Sequence, residues 1–588
     1  MGNLQGMGAI VAGDGVGFRV WAPHADAVEV SGPFTQAGIA LASENDGYWY
    51  GFAEGARAGQ QYRFTITSGG ERLDRIDPYA AEVTNSVGSG VIYDHSAFDW
   101  EGDDYTPPTL NELVIYELHA GTFAARKDGE VAGLDAVESR FGHLLALGVN
   151  AIQLMPVAEF AGDVSWGYNP SHIFAVESAY GGPDALKQLV REAHRAGLAV
   201  IQDVVYNHFG PSDLNLWRFD GWSENDLGGI YFYNDWRSRT PWGDTRPDYG
   251  RGEVRQFIHD NAFSWLENFH LDGLRYDMTP YMRSVDAGVE NIPEGWTLCR
   301  WINTDIRAKY PRKILIAEDL HSDPSVSSTA ADGGGFHAQW DAQFVHPVRE
   351  AVTIADDRWR STTEVAAAIS YSYGDAFARV IYTESHDEVA NGRSRVPEEV
   401  DPDDPTGYWA QKRSTLGAAL VLTSPGIPML FQGQEFLEGG WFRDTVALDW
   451  SQDESFHGIV RLYRDLVRLR LNRDGTSAGL TGGGLEVFHN NDDANVLAFH
   501  RWRDHGPCDD VVVVVNLAND TIDGYRIGFP TGGAWRLLLN SDARVYSDVF
   551  GGTGSFDVVA TDEPYDGFGA SAEISVGPYS VLVYSLES

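Results

Sequence analysis

The chain has 588 residues, which is more than a single hydrophobic core usually supports, so about three or four domains are expected. Its 85 acidic and 43 basic residues leave a formal net charge of -42, which argues against nucleic acid or an anionic membrane as a partner and favours a neutral or cationic substrate. The two cysteines, Cys299 and Cys508, fit neither a disulfide framework nor a metal-ligand spacing and favour a reducing cytoplasm.

Residues 1–100 are predicted to form a small β-sandwich. Short alternating runs such as GFRVWAPHADAVEVSG, GYWYGFAEG and QQYRFTIT are separated by Gly, Pro or polar turns, as in antiparallel sheets. The segment DPYA, followed by the acidic, proline-containing FDWEGDDYTPP, is typical of a linker into a second domain.

Residues 101–474 are predicted to form an α/β domain, a (β/α)8 TIM barrel. Apolar runs alternate with longer segments in which apolar residues return every three or four positions, which is the pattern of β/α units. Eight such units over this length match the barrel. The predicted strands are LVIYELH, AIQLMP, AVIQDVVYNH, GLRYD, ILIAED, FHAQWDAQF, RVIYTESHD and MLFQGQE.

Two further regions flank or interrupt this barrel pattern. Residues 209–252, after the third predicted strand, are rich in aromatic residues, Gly and Asp without clear periodicity, and we expect an inserted loop domain over the barrel mouth. Residues 475–588 return to strand-like runs (LEVFHN, NVLAFHRW, DVVVVVN, SVLVYS), which predict a C-terminal β-sandwich. No stretch of the sequence reaches the length of a membrane span.

Polar residues crowd the C-terminal ends of the predicted barrel strands, although packing alone does not require them there. Barrel enzymes place their active sites at this end, so we expect these side chains to meet at one mouth. A single carboxylate in such a position is most often a helix N-cap or a solvated loop acid, but the whole set is better explained by a catalytic site. The set is Asp203, Asn207, His208, Arg275, Asp277, Glu318, Asp319, His386 and Asp387.

Carboxylates, an arginine and two histidines around one pocket are what retaining glycoside hydrolysis requires. One carboxylate attacks the anomeric carbon, and a carboxylic acid roughly 5 Å away protonates the leaving oxygen and later activates the acceptor. Arg275 lies two residues before Asp277 and therefore on the same face of a strand. Its fixed charge is expected to keep Asp277 ionised.

The segments DVVYNH, GLRYD, AED and SHD, in this order, resemble the four signature regions of the α-amylase superfamily, glycoside hydrolase family 13. The resemblance covers nearly the whole chain, including the N-terminal module, which looks like a glycogen-binding sandwich. It implies Asp277 as the nucleophile, Glu318 as the general acid/base and Asp387 as the transition-state stabiliser. It also implies no cofactor and no catalytic metal.

The same resemblance implies a subsite for the sugar at the cleavage point. His208 and His386 would bind its hydroxyl groups, Arg275 would orient the nucleophile and Asp203 would support the subsite. Tyr168 would stack beneath the sugar, with core packing as its alternative role, and Trp166 is a weaker candidate. Two further roles stay open: Asn207 binds either a structural calcium, as in family amylases, or the loop backbone, and the loops at Trp217 to Trp242 and Trp441 to Arg443 are candidate acceptor subsites.

The acceptor decides the activity, because water gives hydrolysis and a sugar 6-hydroxyl gives branching. YELHAGTF, SHDEVANG and FQGQEF followed by LDW resemble glycogen branching enzymes, whereas GLRYDMTPYM is closer to maltooligosyltrehalose trehalohydrolases. We predict a cytoplasmic 1,4-α-glucan branching enzyme acting on α-glucans or maltooligosaccharides. The alternatives are an α-1,4-glucan hydrolase, a trehalohydrolase and, from another class, a non-catalytic glucan-binding protein, which would be expected to lack one of the three carboxylates.

Overall fold

The computed structural model describes residues 4–505 and 509–587, so Cys508 lies outside the described residues. The N-terminal module consists of two antiparallel sheets. In the strand Gln61–Ser68, Tyr62, Phe64 and Ile66 are buried and alternate with more exposed positions, as expected for a sheet with one face on a core. The strands are Gly8–Ala12, Gly15–Trp21, Ala27–Ser31, Ile39–Ala40, Ala42–Ser43, Tyr48–Glu54, Gln61–Ser68, Glu71–Arg75, Glu82–Val83 and Gly90–Val91.

Eight parallel strands close into a barrel, which confirms the predicted fold class. Each of the eight predicted segments supplies one strand, and every residue of these strands is buried because helices cover the outside and side chains fill the inside. The strands are Ile115–Leu118, Ala151–Leu154, Ala199–Val204, Gly273–Tyr276, Ile314–Ala317, Ala338–Trp340, Arg379–Ile381 and Ile427–Phe431. A separate hairpin pairs Ala158–Phe160 with Pro170–Val176 after the second strand.

The helices around the barrel show the expected local signals. Gly182–Ala196 has Pro183 in its first turn, buries Leu186, Leu189, Val190 and Ala193 on one face, and ends at Gly197 with φ of 82°, a left-handed cap. The α-helices are Ala120–Phe123, Leu134–Glu138, Phe141–Leu147, Gly182–Ala196, Gly252–Glu267, Pro280–Arg283, Pro293–Lys309, Ala342–Thr353, Thr362–Ser370, Val396–Val400, Tyr408–Thr423, Ser451–Ser455 and His457–Arg470. No helix among the described residues combines the length and apolar character of a membrane span.

The segment 209–251 runs irregularly from the third strand to the helix Gly252–Glu267, and it binds the N-terminal module as well as the barrel. Asp220 accepts hydrogen bonds from the backbone and the ring of His24, at 3.0 and 2.9 Å. Arg75 donates to the carbonyl oxygens of Phe219 and Arg218. The insert therefore connects the module to the catalytic domain, a role that the sequence prediction of a loop over the mouth did not include.

The C-terminal domain is a second β-structure, with a six-stranded sheet and a separate two-stranded sheet. The buried Lys412 on helix Tyr408–Thr423 pairs with the buried Asp542 at 2.8 Å and links this domain to the barrel. Its strands are Gly484–Asn491, Val496–Trp502, Val511–Asn516, Ile522–Phe529, Gly533–Asn540, Val558–Ala560, Ala570–Val576 and Ser580–Leu586.

Candidate active site

The barrel brings together all but one of the residues that the sequence predicted at its C-terminal edge. Asp203 and Arg275 lie within the third and fourth strands, and Asp277 directly follows the fourth. Glu318 and His386 come after the fifth and seventh strands. Contacts described below join all eight predicted site residues into one cluster: Tyr168, Asp203, His208, Arg275, Asp277, Glu318, His386 and Asp387.

Arg275 is the centre of this cluster. Its Nη1 lies 2.7 Å from Asp203 Oδ2 and 3.2 Å from Asp277 Oδ1, and its Nη2 lies 2.8 Å from Glu318 Oε2. The guanidinium is completely buried, and Trp340 covers one face with its ring centroid 4.2 Å from Cζ. One cation therefore faces three carboxyl groups in a site of low dielectric, where charge interactions are strong.

Asp277 receives hydrogen bonds on both carboxylate oxygens. Asn207 Nδ2 donates to Oδ2 at 2.6 Å and to the backbone oxygen of the same residue at 2.9 Å, and Arg275 donates to Oδ1. Asn207 thus orients the predicted nucleophile, in addition to making the backbone contact that we considered for it. The described part of the chain contains no cluster of His, Cys, Asp or Glu arranged to hold a metal ion.

One oxygen of Glu318 accepts a hydrogen bond from Met278 and forms an ion pair with Arg275. Arg275 Nη2 and the backbone N–H of Met278 both contact Oε2, the latter at 3.0 Å. Met278 has φ of 37°, in the left-handed region that disfavours a side chain with a β-carbon, and strain of this kind is often held at functional sites. The strained turn after the nucleophile thus presents its N–H group to the neighbouring carboxyl group.

Burial raises the pKa values of both Asp277 and Glu318. Burial raises the pKa of Asp277 well above its usual value, and Glu318 raises it further, whereas Arg275 and Asn207 lower it. Burial also raises the pKa of Glu318, whereas Arg275 lowers it. Arg275 therefore lowers the pKa of Asp277, as predicted, but burial raises this pKa by more. Both oxygens of Asp277 accept hydrogen bonds, whereas the contacts of Glu318 described above fall on Oε2, so its Oε1 is the oxygen of the two groups best placed to carry a proton.

Asp203 supports this arrangement from the third strand. Its Oδ2 accepts from the Tyr168 hydroxyl at 2.7 Å as well as from Arg275. Burial raises the pKa of Asp203 to about 6, while Arg275 and Tyr168 lower it. The half-buried Tyr168 ring is stacked on His386, with centroids 5.0 Å apart and planes at 19°. Tyr168 is thus a partly open platform in the pocket.

His386 and Asp387 form the side of the pocket after the seventh strand. His386 Nε2 lies 3.5 Å from Asp387 Oδ2, and the Asp387 side chain is 42% exposed, the most open of the three catalytic candidates. Trp166 is half-buried, packs edge-on against His386 at 5.9 Å, and contacts Phe442 at 5.2 Å with the ring planes tilted by 44°. Trp166 therefore belongs to the wall that supports His386.

His208 is connected to the site by Asn207, which also contacts Asp277. Its Nδ1 contacts Asn207 Oδ1 at 2.5 Å, and its ring is stacked on Trp242 at 4.5 Å. Burial lowers the pKa of His208 to about 4, so this ring is neutral near pH 7 and can exchange hydrogen bonds with a sugar hydroxyl.

The aromatic loops proposed for the acceptor subsites divide into two groups. Trp242 is 40% exposed beside His208, and Trp441 is 54% exposed beside Arg443, whose Cζ lies 4.8 Å from the Trp441 ring. Trp217 instead packs against Phe232 within the insert. Trp242 and Trp441 thus present ring surface that a substrate can contact.

Three residues of the site were missed and one was misplaced. Glu117 and Gln153, from the first two strands, and Trp340 from the sixth are all buried at the pocket floor. The sequence feature that could have identified them is a polar or aromatic side chain within an otherwise apolar strand segment. Asp319, which we expected at the mouth, turns away and binds Arg283 at 2.8 Å and Thr279 at 2.9 Å.

Fold and site together define a barrel enzyme with paired carboxylates suited to glycosidic bonds, and comparison with known proteins agrees. The model of the alpha amylase catalytic domain matches residues 118–238. Carbohydrate-binding module 48 (isoamylase N-terminal domain) matches residues 6–80, and the alpha amylase C-terminal all-beta domain matches residues 487–587.

Curated relatives match over almost the whole chain. The 1,4-alpha-glucan branching enzyme GlgB of Corynebacterium jeikeium (strain K411) is 31% identical over 99% of this chain and 83% of its own length. Those of Leifsonia xyli subsp. xyli and Salinibacter ruber are 32% and 30% identical, over 99% and 98% of this chain and 80% and 95% of their own lengths. The chain therefore belongs to the α-amylase family, glycoside hydrolase family 13.

Solved structures share the fold. A putative alpha amylase from Salmonella typhimurium has a TM-score of 0.76 at 22% identity, covering 99% of this chain and 100% of that one. A pullulanase from Anoxybacillus sp. LM18-11 complexed with maltotetraose has a TM-score of 0.74 at 21% identity, covering 99% of this chain and 87% of that one. At these identities the likeness concerns the fold alone.

Proposed function

We propose that this protein is a 1,4-α-glucan branching enzyme that cleaves an α-1,4 bond and transfers the released chain to a 6-hydroxyl group. The observation that carries the proposal is the similarity to branching enzymes over nearly the full chain, at 30 to 32% identity for the three relatives above. The alternatives with amylase or trehalohydrolase activity share the barrel and the carboxylates, so the fold does not favour them over branching.

In the first step, Asp277 attacks the anomeric carbon while Glu318 donates its proton to the glycosidic oxygen. The bond between C1 and that oxygen breaks, the leaving chain departs with a free 4-hydroxyl, and a covalent glycosyl ester forms on Asp277. The hydrogen bonds from Asn207 and Arg275 to the Asp277 oxygens support this role, because they hold the carboxylate in one orientation.

In the second step, Glu318 is ionised and removes the proton of an acceptor 6-hydroxyl, whose oxygen displaces Asp277 from C1 with net retention. Asp387 faces the pocket with its partly exposed carboxylate and would stabilise the positive charge that develops on the sugar ring. Tyr168 would stack under that ring, with His208 and His386 binding its hydroxyl groups. Trp242 and Trp441, exposed near the mouth, would receive the acceptor chain.

The proposed partner is an α-glucan or maltooligosaccharide, and no nucleic acid, cofactor or metal takes part in these steps. A cytoplasmic location is part of the proposal, because the two cysteines of the sequence do not provide a disulfide framework.

Amylose incubated with the enzyme tests the activity when iodine staining, reducing ends and the anomeric proton signals of α-1,6 linkages are followed together. New α-1,6 signals with few new reducing ends are expected. Reducing ends without α-1,6 signals would replace the proposal with hydrolysis, and release of trehalose from maltooligosyltrehalose would identify a trehalohydrolase. Asp277→Asn serves as the control for contaminating activity. Failure on amylose, maltooligosaccharides and maltooligosyltrehalose at high enzyme loading would point to a non-catalytic glucan-binding protein.

A further inference from the structure

Glu117 lies at the end of the first barrel strand and makes two contacts to His386, which is 269 positions away in the sequence. Its Oε1 is 2.8 Å from His386 Nδ1, and its Oε2 accepts from the backbone N–H of the same residue at 3.0 Å. The Glu117 side chain is completely buried, and Gln153 Nε2 approaches Oε1 at 3.3 Å. The Glu117 carboxylate thus contacts both the ring and the backbone N–H of His386.

These contacts determine which hydrogens the His386 ring carries. An ionised carboxylate only accepts hydrogen bonds, so Nδ1 must donate to Glu117. The other ring nitrogen, Nε2, faces the Asp387 carboxylate at 3.5 Å. A ring with a carboxylate at each nitrogen is most stable as the doubly protonated imidazolium.

We propose that Glu117 is a positioning residue that keeps His386 as an imidazolium and fixes it, together with the adjacent Asp387, against the sugar at the cleavage point. This inference rests on the proposed cleavage of α-glucosidic bonds by Asp277 and Glu318. It does not depend on which acceptor takes the cleaved chain.

The charges that face His386 support the cationic ring on balance. Burial disfavours the charge, but Asp387 and Glu117 outweigh it and raise the pKa of His386 to about 9, even though Arg275 acts in the opposite direction. The ring also interacts with the carboxyl groups of Glu318 and Asp203 and with the neighbouring His119. The aromatic rings packed against it, Tyr168, Trp340 and Trp166, add no formal charge.

Glu117→Gln separates this role from simple packing because the two side chains have nearly the same shape. If the amide oxygen of Gln accepts from the His386 backbone N–H, its NH2 group faces Nδ1 and requires that nitrogen to be unprotonated. The variant therefore favours a neutral ring and removes one of the two negative charges. If Glu117 only filled space, its replacement by Gln would not change the ionisation of His386.

The experiment is the pH profile of kcat/KM for cleavage of α-1,4 bonds between pH 5 and 10, in wild type and variants. Wild type is expected to lose activity through pH about 9, where His386 loses its charge. In Glu117→Gln this alkaline limb is expected at least one pH unit lower, so the loss should be at least about twofold at pH 8 and about fivefold at pH 9, and it should disappear towards pH 6. Glu117→Asp keeps the charge but is shorter, so it should keep the limb and lose kcat at every pH.

Glu435→Gln is the matched control. Glu435 is also completely buried and also pairs with a histidine, His143, at 2.7 Å, but it has no contact with His386 in the described structure. This variant should leave the alkaline limb in place. The control therefore shows whether loss of any buried Glu–His pair moves the profile.

A loss in Glu117→Gln that is equal at all pH values, or an unmoved alkaline limb, would overturn the inference. If Glu117→Gln does not fold, His386→Gln decides, because the proposal requires the limb near pH 9 to disappear in that variant, and its persistence would refute it. The assay measures only the cleavage of α-1,4 bonds and does not depend on the acceptor. If the enzyme hydrolyses glucan instead of branching it, the proposed function is refuted, but the same pH profiles still test the role of Glu117.

Discussion

Arg275→Met removes the cation that three buried carboxyl groups share, while keeping a side chain of similar length and apolar stem. In the wild type Asp203, Asp277 and Glu318 all lie within 3.2 Å of the guanidinium. Removing one partner of a buried ion pair costs about 3–5 kcal/mol, because the other partner stays buried without compensation. We expect a loss of this size in the free energy of unfolding at pH 8.

The loss should depend on pH with a definite sign. Arg275 lowers the pKa of each of its three partners, so its removal raises these values further above those of the unfolded chain, about 4. An acid whose pKa is higher in the folded state destabilises the fold as pH rises above its unfolded pKa. At pH 5, where protons can neutralise the carboxyl groups, the penalty should be smaller by at least about 1.4 kcal/mol, the equivalent of one pKa unit.

Urea denaturation followed by tryptophan fluorescence at pH 5 and pH 8 measures this difference. Arg246→Met is the matched control, because Arg246 is equally buried but donates to the backbone oxygens of Tyr281, Ser284, Arg239 and Val285 rather than to carboxylates. Its penalty should be nearly the same at both pH values. A pH-independent penalty for Arg275→Met, or an equal increase with pH in the control, would refute the reasoning.

Three further predictions concern the same pocket. Asp277→Asn should lower kcat by about 10³-fold or more with an unchanged circular dichroism spectrum, and activity within tenfold of wild type would contradict its role. Glu318→Gln should lose little in the first step on substrates with good leaving groups, so equal loss on natural and activated substrates would argue against a general acid. Because the pKa of His386 is raised to about 9, its contribution to stability should be complete below pH about 6.5 and lost as pH rises through 9, on the order of 3 kcal/mol in total. Comparing His386→Gln with wild type at pH 6 and pH 10 by urea denaturation tests this, and a constant difference would contradict it.

The sequence by itself determined the barrel and most of its site. Eight apolar runs, each followed by a helical period, were enough to predict the strands, because strand and helix periodicities are local properties. Asp203, Arg275, Asp277 and Glu318 could be assigned to one mouth because the C-terminal ends of parallel strands meet at one edge. The order of the motifs then indicated the α-amylase family, in agreement with the relatives.

Only the tertiary structure decided which strand-end residues face the pocket and how they are charged. Asp319 follows Glu318 directly but turns to Arg283, since consecutive side chains point in different directions. Glu117 meets His386 only because the barrel closes, and the periodicity of the sequence does not record such pairs. The protonation of Asp277 and Glu318 likewise depends on burial and on one shared guanidinium, which are properties of the assembled site rather than of any single motif.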